Sequence, residues 1–437
     1  MEIRVLSEMA RVFPDGVPAR SGDISELYAF SGESAAFQIA YSGSGASETF
    51  QVETESDIET DLYHIRCMPV GVSGKPEEDD DYLREEAGLF PDFLDYKAGG
   101  SIFYCSGTGW QSLYFLCEKL PAGKHVINVV FRTYPGREIL CKTALALNVS
   151  PEKLPEQTRY YTRWFHCDSL ADCYNVPVFS ERHWEITENF LKKASQRGMN
   201  TVLTPIHTPP LDTEEGRERK TTQLVDIEDR GGGRYGFSFE KLDRWFEICR
   251  NCGIKYFEMA HLFSQWGLKA APKITAKGKD GILRRIFGWD TDSESAEYMN
   301  FLSQYLKSLY AHLQKLGIEK NCFFHISDEP DTDSAELYMR LKKRVQSILP
   351  TAYFLDALSD IDFYKNGACE HPIPSAAHIE PFFKSGVPGL WTYYCCAERQ
   401  SVPNSFIAMP GERLRVLGIL MYAYDIKGFL QWGYNYY

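Results

Sequence analysis

Apolar and polar positions alternate in short runs over the first third of the chain, and Gly, Pro, Ser and Asp separate the runs. Residues 2–6, 35–41, 49–53, 62–70, 111–118, 125–132 and 144–149 each read as a strand with one buried face. Several short strands with no helical periodicity between them predict a β-sandwich over residues 1–150. Pro151 and Pro155 then hold residues 151–158 as an extended linker.

Past residue 159 the pattern changes. Apolar runs at 160–166, 201–206, 255–262 and 322–327 alternate with amphipathic helical periods at 181–197, 239–251, 293–316 and 334–349, and runs at 353–358, 376–382, 389–396 and 428–434 complete the series. Strands alternating with helices imply a parallel sheet, and eight such units predict a (β/α)8 TIM-type barrel over residues 159–437. A doubly wound open sheet is the alternative, but no Gly-rich fingerprint follows the first strand. Only three residues follow the eighth run. The barrel is therefore expected to lack its last helix, with Phe429 or Leu430 open to water, and the chain to be a fragment of a longer protein.

The fourth run ends in Asn321-Cys-Phe-Phe-His-Ile-Ser-Asp-Glu-Pro330. Strand alternation puts Phe324 and Ile326 on one face and Phe323, His325 and Ser327 on the other. Pro330 cannot continue a ladder, so the strand stops at two adjacent carboxylates, Asp328 and Glu329. Such neighbours oppose each other's ionisation and supply a proton donor at neutral pH. A lone Asp-Glu-Pro also suits a helix start, with the Asp as cap. Barrel sites gather at strand ends, however, and the other ends read His166 with Asp168, His207, His261, Asp356, Trp391 with Tyr393, and Trp432 with Asn435. Aromatic rings beside a few hydrogen-bonding groups suit a sugar pocket, although any one of these residues also suits barrel packing.

Composition narrows the class of partner. A net charge of −13, spread along the chain apart from one acidic run at 77–81, argues against nucleic acid or an anionic membrane. The 14% aromatic content suits stacking on sugar rings. The N-terminus has no signal-like apolar run and no window reaches transmembrane length, so a cytoplasmic location without membrane insertion is expected, with the twelve cysteines as reduced thiols. Cys249 and Cys252 lie in a helical pattern without a second pair or a neighbouring His, and Gly231-Gly-Gly233 reads as a hairpin turn. Neither metal nor cofactor is expected, and the oligomeric state is left open.

The run Asp243-Arg-Trp245, Gly253-Ile-Lys-Tyr-Phe257, Trp266-Gly, Phe287-Gly-Trp289 and His325-Ile-Ser-Asp-Glu-Pro330 resembles the catalytic domain of glycoside hydrolase family 123 and its uncharacterised relatives. Trp391-Thr-Tyr393 and Gly428-Phe-Leu-Gln-Trp432-Gly-Tyr-Asn435 fit the same resemblance. Gly32-Glu-Ser-Ala-Ala-Phe-Gln38 and Gly88-Leu-Phe-Pro-Asp92 look like the family's β-sandwich domain. The resemblance implies a retaining β-N-acetylgalactosaminidase-type hydrolase in which the substrate's 2-acetamido oxygen is the nucleophile. Asp328 would orient that group and Glu329 would protonate the leaving oxygen. An oligosaccharide or glycoconjugate is the implied substrate, with His166, His261, His325, Trp391, Tyr393, Trp432 and Asn435 around it. Two alternatives stay open: double displacement with Glu329 and a distant carboxylate such as Glu398, and a non-catalytic carbohydrate-binding protein.

Overall fold

The structure is a computed structural model that describes residues 1–71, 79, 81–400 and 402–437; most of the acidic run at 77–81 lies outside the described residues. The chain divides into two compact units, Met1–Glu156 with Arg399–Gly418 and Gln157–Glu398 with Ile419–Tyr437.

In the first unit, alternating apolar positions build two five-stranded sheets. One holds Glu2–Ser7, Ala35–Ser42, Trp110–Cys117, Asp61–Val70 and Gly88–Lys97 in that spatial order; the other holds Glu26–Ser31, Ile139–Lys153, Gly123–Thr133, Glu48–Glu55 and Ile102–Cys105. All neighbours are antiparallel except Ile139–Lys153 with Glu26–Ser31, which run parallel. Both sheets feed one apolar cluster, with Phe37 stacked on Phe115 at 4.8 Å and Phe50 against Tyr41, Phe103 and Phe131. The returning segment is fastened where Arg413 bonds both carboxylate oxygens of Asp79 at 2.7 Å.

The second unit is a curled parallel sheet with helices packed on its outer face. Its strands run Tyr353–Phe354, Cys322–Phe324, Tyr256–Met259, Thr201–Thr204, Tyr160–Arg163, Gly428–Gln431 and Trp391–Tyr393 in spatial order. Beyond Phe354, Asp356–Ala357 pairs in parallel with Pro372–Ile373, and Ser375 bridges Tyr393 in the same sense. The sixth strand is thus Pro372–Ile373. Residues 376–382, expected as a strand, fall instead within a 3-10 turn and the helix Ile379–Lys384, because Ile379 and Phe382 lie at helical spacing.

Alternation sorts the two faces. Leu203, Phe323, Leu355, Trp391 and Leu430 share the inner cluster. Val202, Phe257, Met259 and Phe324 join the outer cluster with helix residues such as Trp245, Leu306 and Leu341. The longest helix, Ala296–Leu316, starts where Ser295 accepts the Tyr298 amide and stops at Gly317, whose φ of 70° suits a residue without Cβ. The Gly231-Gly-Gly233 turn joins Asp226–Gly231 to Arg234–Ser238 in an inserted four-stranded sheet. No helix among the described residues is long and apolar enough to cross a membrane.

Two expectations about the last strands need correction. Phe429 and Leu430 are 2% and 1% exposed. Leu430 points into the inner cluster, and the Phe429 ring meets Tyr394 at 4.9 Å and Tyr161 at 6.0 Å. Aromatic neighbours therefore cover the face that a following helix was expected to shield. Trp391, expected at the end of the seventh strand, begins it, in register with Gly428, which in turn pairs with Tyr160. Its indole lies across Gly428 and stacks on Tyr160 at 5.0 Å, in an aromatic floor with Phe323.

A Cβ on Gly428 would fall inside that indole. Gly428→Ala is accordingly expected to destabilise the second unit by about 1–3 kcal/mol through overpacking, read as a lower denaturation midpoint. An unchanged midpoint would mean the floor has slack that the packing does not show.

Candidate active site

The segment after the strand Cys322–Phe324 is laced on both sides. Toward the third strand, Leu262 and Phe263 donate amides to the carbonyls of His325 and Ile326, Ser327 Oγ donates to the Ser264 carbonyl, and the Trp266 amide donates to the Asp328 carbonyl at 3.2 Å. Toward the fifth, Asp356 Oδ1 accepts the amides of Ile326 at 2.8 Å and Ser327 at 3.3 Å, and the Glu329 amide donates to Ala357 at 3.0 Å. These bonds hold the two acids where the ladder has stopped.

Asp328 is buried, and its Oδ2 accepts from Gln265 Nε2 at 2.9 Å. Gln265 Oε1 takes the Asp212 amide at 2.7 Å, so one side chain ties the loop after the second strand to the acid. Glu329 is half-buried, and its Oε1 accepts from the Tyr393 hydroxyl at 2.5 Å. Burial, reinforced by Glu329 and Asp212, pushes the Asp328 carboxyl well above its usual range, with His325 opposing. Burial likewise raises Asp212, against the pull of Arg219 and with Glu329 adding to the rise. Three carboxylates therefore crowd one mouth.

Backbone strain collects at the same place. Asp212, Trp266, Leu268 and Glu329 have φ of 50°, 54°, 58° and 45°. Each left-handed residue with a side chain costs about 1–3 kcal/mol, and such costs persist where surrounding bonds over-determine the backbone. The hydrogen bonds through Gln265, Trp266 and Glu329 supply that constraint here.

Beneath the acids lies a charged network with no exposure. His325 Nε2 is 3.1 Å from Glu258 Oε1, and its Nδ1 is 3.5 Å from Asp356 Oδ1, an ion-pair distance rather than a hydrogen bond. Glu258 also accepts from Thr162 Oγ1 and from Trp164 Nε1 at 3.3 Å, and Asp356 accepts from the Tyr338 hydroxyl at 2.6 Å. Burial alone would lower the pKa of His325, but Asp356 and Glu258 outweigh it and lift the ring to about 9. His325 is thus an imidazolium at neutral pH. His261 stacks on it at 4.4 Å, and burial together with the two neighbouring histidines keeps His261 neutral. The donor atoms of His261, His325 and Asp356 lie within 4.8 Å of one another, close enough to consider a cation. Of the two stacked rings, tilted by only 24°, the charged His325 has no lone pair to offer, so this arrangement does not suit a metal.

A second cluster forms where the first and last strands end. His166 Nε2 meets the Trp432 carbonyl at 3.0 Å and must carry the proton, which leaves Nδ1 to accept from Arg219 at 2.9 Å. Burial, then Arg219, lowers this ring to about 4, in keeping with a neutral tautomer. Arg219 also bonds both oxygens of Asp168 at 2.7 Å and the Leu211 carbonyl at 3.0 Å. Asn435 spends its amide on the backbone of His166, accepting at 2.9 Å and donating at 3.0 Å.

Of the expected site residues, Asp328, Glu329, His261, His325 and Tyr393 come together, while His166, Trp432 and Asn435 form the neighbouring cluster. Trp391 belongs to neither, since it lies at the opposite end of the strands, in the floor. Gln265, Asp212 and Arg219 were missed because they sit in loops without periodicity, and Trp266 entered only as part of the family resemblance, not as a site residue. Glu258 did leave a signal: it is the lone carboxylate inside the apolar strand Tyr256–Met259. The His325 charge has a measurable consequence. Its folded value lies above the 6.5 of a free imidazole, so its stabilisation is complete below pH 6.5 and is lost as pH rises through about 9. Thermal midpoints should fall across that window in the wild type and fall less in His325→Gln; parallel profiles would rule out a charged His325.

Residues 164–437 match the family model "Glycoside hydrolase 123, catalytic domain". A family 123 glycoside hydrolase from Clostridium perfringens, solved to study glycolipid glycan hydrolysis, superposes with a TM-score of 0.74 at 12% identity, covering 99% of this chain and 78% of that one. This likeness shows the fold. A β-glucuronidase from Bacteroides uniformis aligns far more loosely, with a TM-score of 0.34 at 10% identity over 93% of this chain and 44% of that one. The same holds for a family 39 glycoside hydrolase from Bacteroides cellulosilyticus, with a TM-score of 0.36 at 10% identity over 93% of this chain and 74% of that one. No curated protein sequence matches the chain. With the family's catalytic domain matched over more than half its length, the chain belongs to glycoside hydrolase family 123.

Proposed function

We propose that this family member is a retaining hydrolase of β-linked N-acetylhexosamine, with N-acetylgalactosamine favoured, that works by substrate-assisted catalysis on an oligosaccharide or glycoconjugate. The observation that carries the reading is the pair of adjacent carboxylates with different partners: Asp328 on Gln265 and Glu329 on Tyr393. Neighbouring acids cannot flank a sugar ring from opposite faces. They suit a reaction whose nucleophile arrives with the substrate. The same reading takes the curled parallel sheet as a (β/α)8 barrel, the two N-terminal sheets as a sandwich, and the protein as cytoplasmic.

In this scheme the acetamido oxygen attacks the anomeric carbon while Glu329 gives its proton to the departing glycosidic oxygen. Tyr393 fixes one oxygen of Glu329 and leaves the other for that transfer. Asp328 accepts the acetamido N–H and stabilises the oxazolinium ion as positive charge develops. Water, deprotonated by Glu329, then opens the ring with retention.

Double displacement through Glu398 has less support. Its Oε2 already accepts the Cys395 amide at 2.6 Å, which makes it a turn cap.

Glu329→Gln is expected to lose natural glycosides by at least about a hundredfold while sparing aryl glycosides with very good leaving groups, which need little protonation. Equal loss on both substrate kinds would exclude the acid role. Asp328→Asn should lower kcat by about two orders of magnitude in a folded protein. A thiazoline mimic of the oxazolinium should inhibit the wild type; a glycosyl adduct trapped on Glu398 would favour double displacement instead. Comparing aryl β-N-acetylgalactosaminide with the glucosaminide and the plain galactoside tests the choice of sugar.

A further inference from the structure

We propose that Trp266 is the platform for the leaving-group side of the substrate, the sugar that Glu329 releases. The inference rests on the glycosidase reading above and adds a second binding position to it.

Trp164, Trp184, Trp245 and Trp391 are all less than 5% exposed and serve the core, whereas Trp266 is 56% exposed. Its backbone is nevertheless fixed on both sides. Gln265 is bonded to Asp328, the Trp266 amide is bonded to the Asp328 carbonyl, and Leu268 is fully buried. Trp266 holds a φ of 54° between these anchors, with Gly267 at 136°. Glycine or asparagine would meet that backbone at lower cost, and an indole in water gains nothing for folding. The large ring is explained if it meets a ligand.

Depth indicates which ligand. The sugar whose acetamido group reaches Asp328 must descend to a carboxylate that is 6% exposed. We place this indole, more than half exposed on the residue whose backbone amide bonds Asp328, at the rim, where the next unit of the substrate passes. The apolar face of a pyranose on an indole is the interaction such a ring offers.

The test compares kcat/KM for methyl β-N-acetylgalactosaminide with that for a β-N-acetylgalactosaminyl disaccharide. The two differ by one sugar ring at the proposed position. Trp266→Ala should lower the ratio of disaccharide to methyl glycoside roughly ten- to thirtyfold, mainly through KM, and Trp266→Phe should recover most of it. A ratio that stays within twofold, or equal loss on both substrates, overturns the platform, because Trp266 would then act only on the Asp328 backbone. If the wild type cleaves neither compound, the N-acetylgalactosaminidase reading fails by itself. Trp266 is then judged by fluorescence titration with β-linked disaccharides of hexose and N-acetylhexosamine. Quenching present in the wild type and absent from Trp266→Phe supports the platform; no difference between the two overturns it.

Discussion

One buried imidazolium between two buried carboxylates organises the second unit. An isolated charge at that depth would cost several kcal/mol, so His325, Glu258 and Asp356 are tolerable only together. Asp356 carries a second duty, because the oxygen facing His325 also accepts the amides of Ile326 and Ser327. Charge balance in the interior and the path of the backbone toward the acids are thereby set by the same atom. The Tyr338 hydroxyl on the other oxygen links that atom to an outer helix, so the packing of the helix layer reaches the site through one carboxylate.

The network explains how the mouth bears three crowded acids. A positive ring beneath Asp328 offsets part of the repulsion from Glu329, Asp212 and Asp356 without forming a direct pair that would ionise it fully. The Asp328 carboxyl is thereby held above its usual range. A bidentate arginine, of the kind Arg219 forms with Asp168, would have locked the carboxylate as an anion. Arg219 instead lies off to the side, where it lowers His166 and moderates Asp212.

The parts legible in the sequence are those with a period. Strand alternation placed Phe323 and Phe324 on opposite faces, and the stop at Pro330 located both acids. Trp391 was misplaced because residues 389–396 read as one long run, whereas only Trp391–Tyr393 is ladder. A shift of two residues along a strand moves a side chain by about 6–7 Å without changing its face, so periodicity alone cannot separate floor from mouth. The cover over Phe429 was unreadable for a different reason: Tyr161 reaches it from the neighbouring strand and Tyr394 from just past the end of another, and the sequence does not rank these by proximity.

Loops carried the least signal and much of the positioning. Asp212, Gln265 and Trp266 belong to segments with neither helical nor strand period, and their left-handed or buried-polar states depend on one another. Gln265 needs the Asp212 amide and the Asp328 carboxylate as partners, and Trp266 keeps its conformation because Asp328 accepts its amide. No residue in this set is stable in its observed state alone, which is why single-position propensities could not find it. Mutual dependence also predicts coupling: substitutions at Gln265 and Asp328 should be markedly non-additive, since their side chains bond each other and removing either already releases the other.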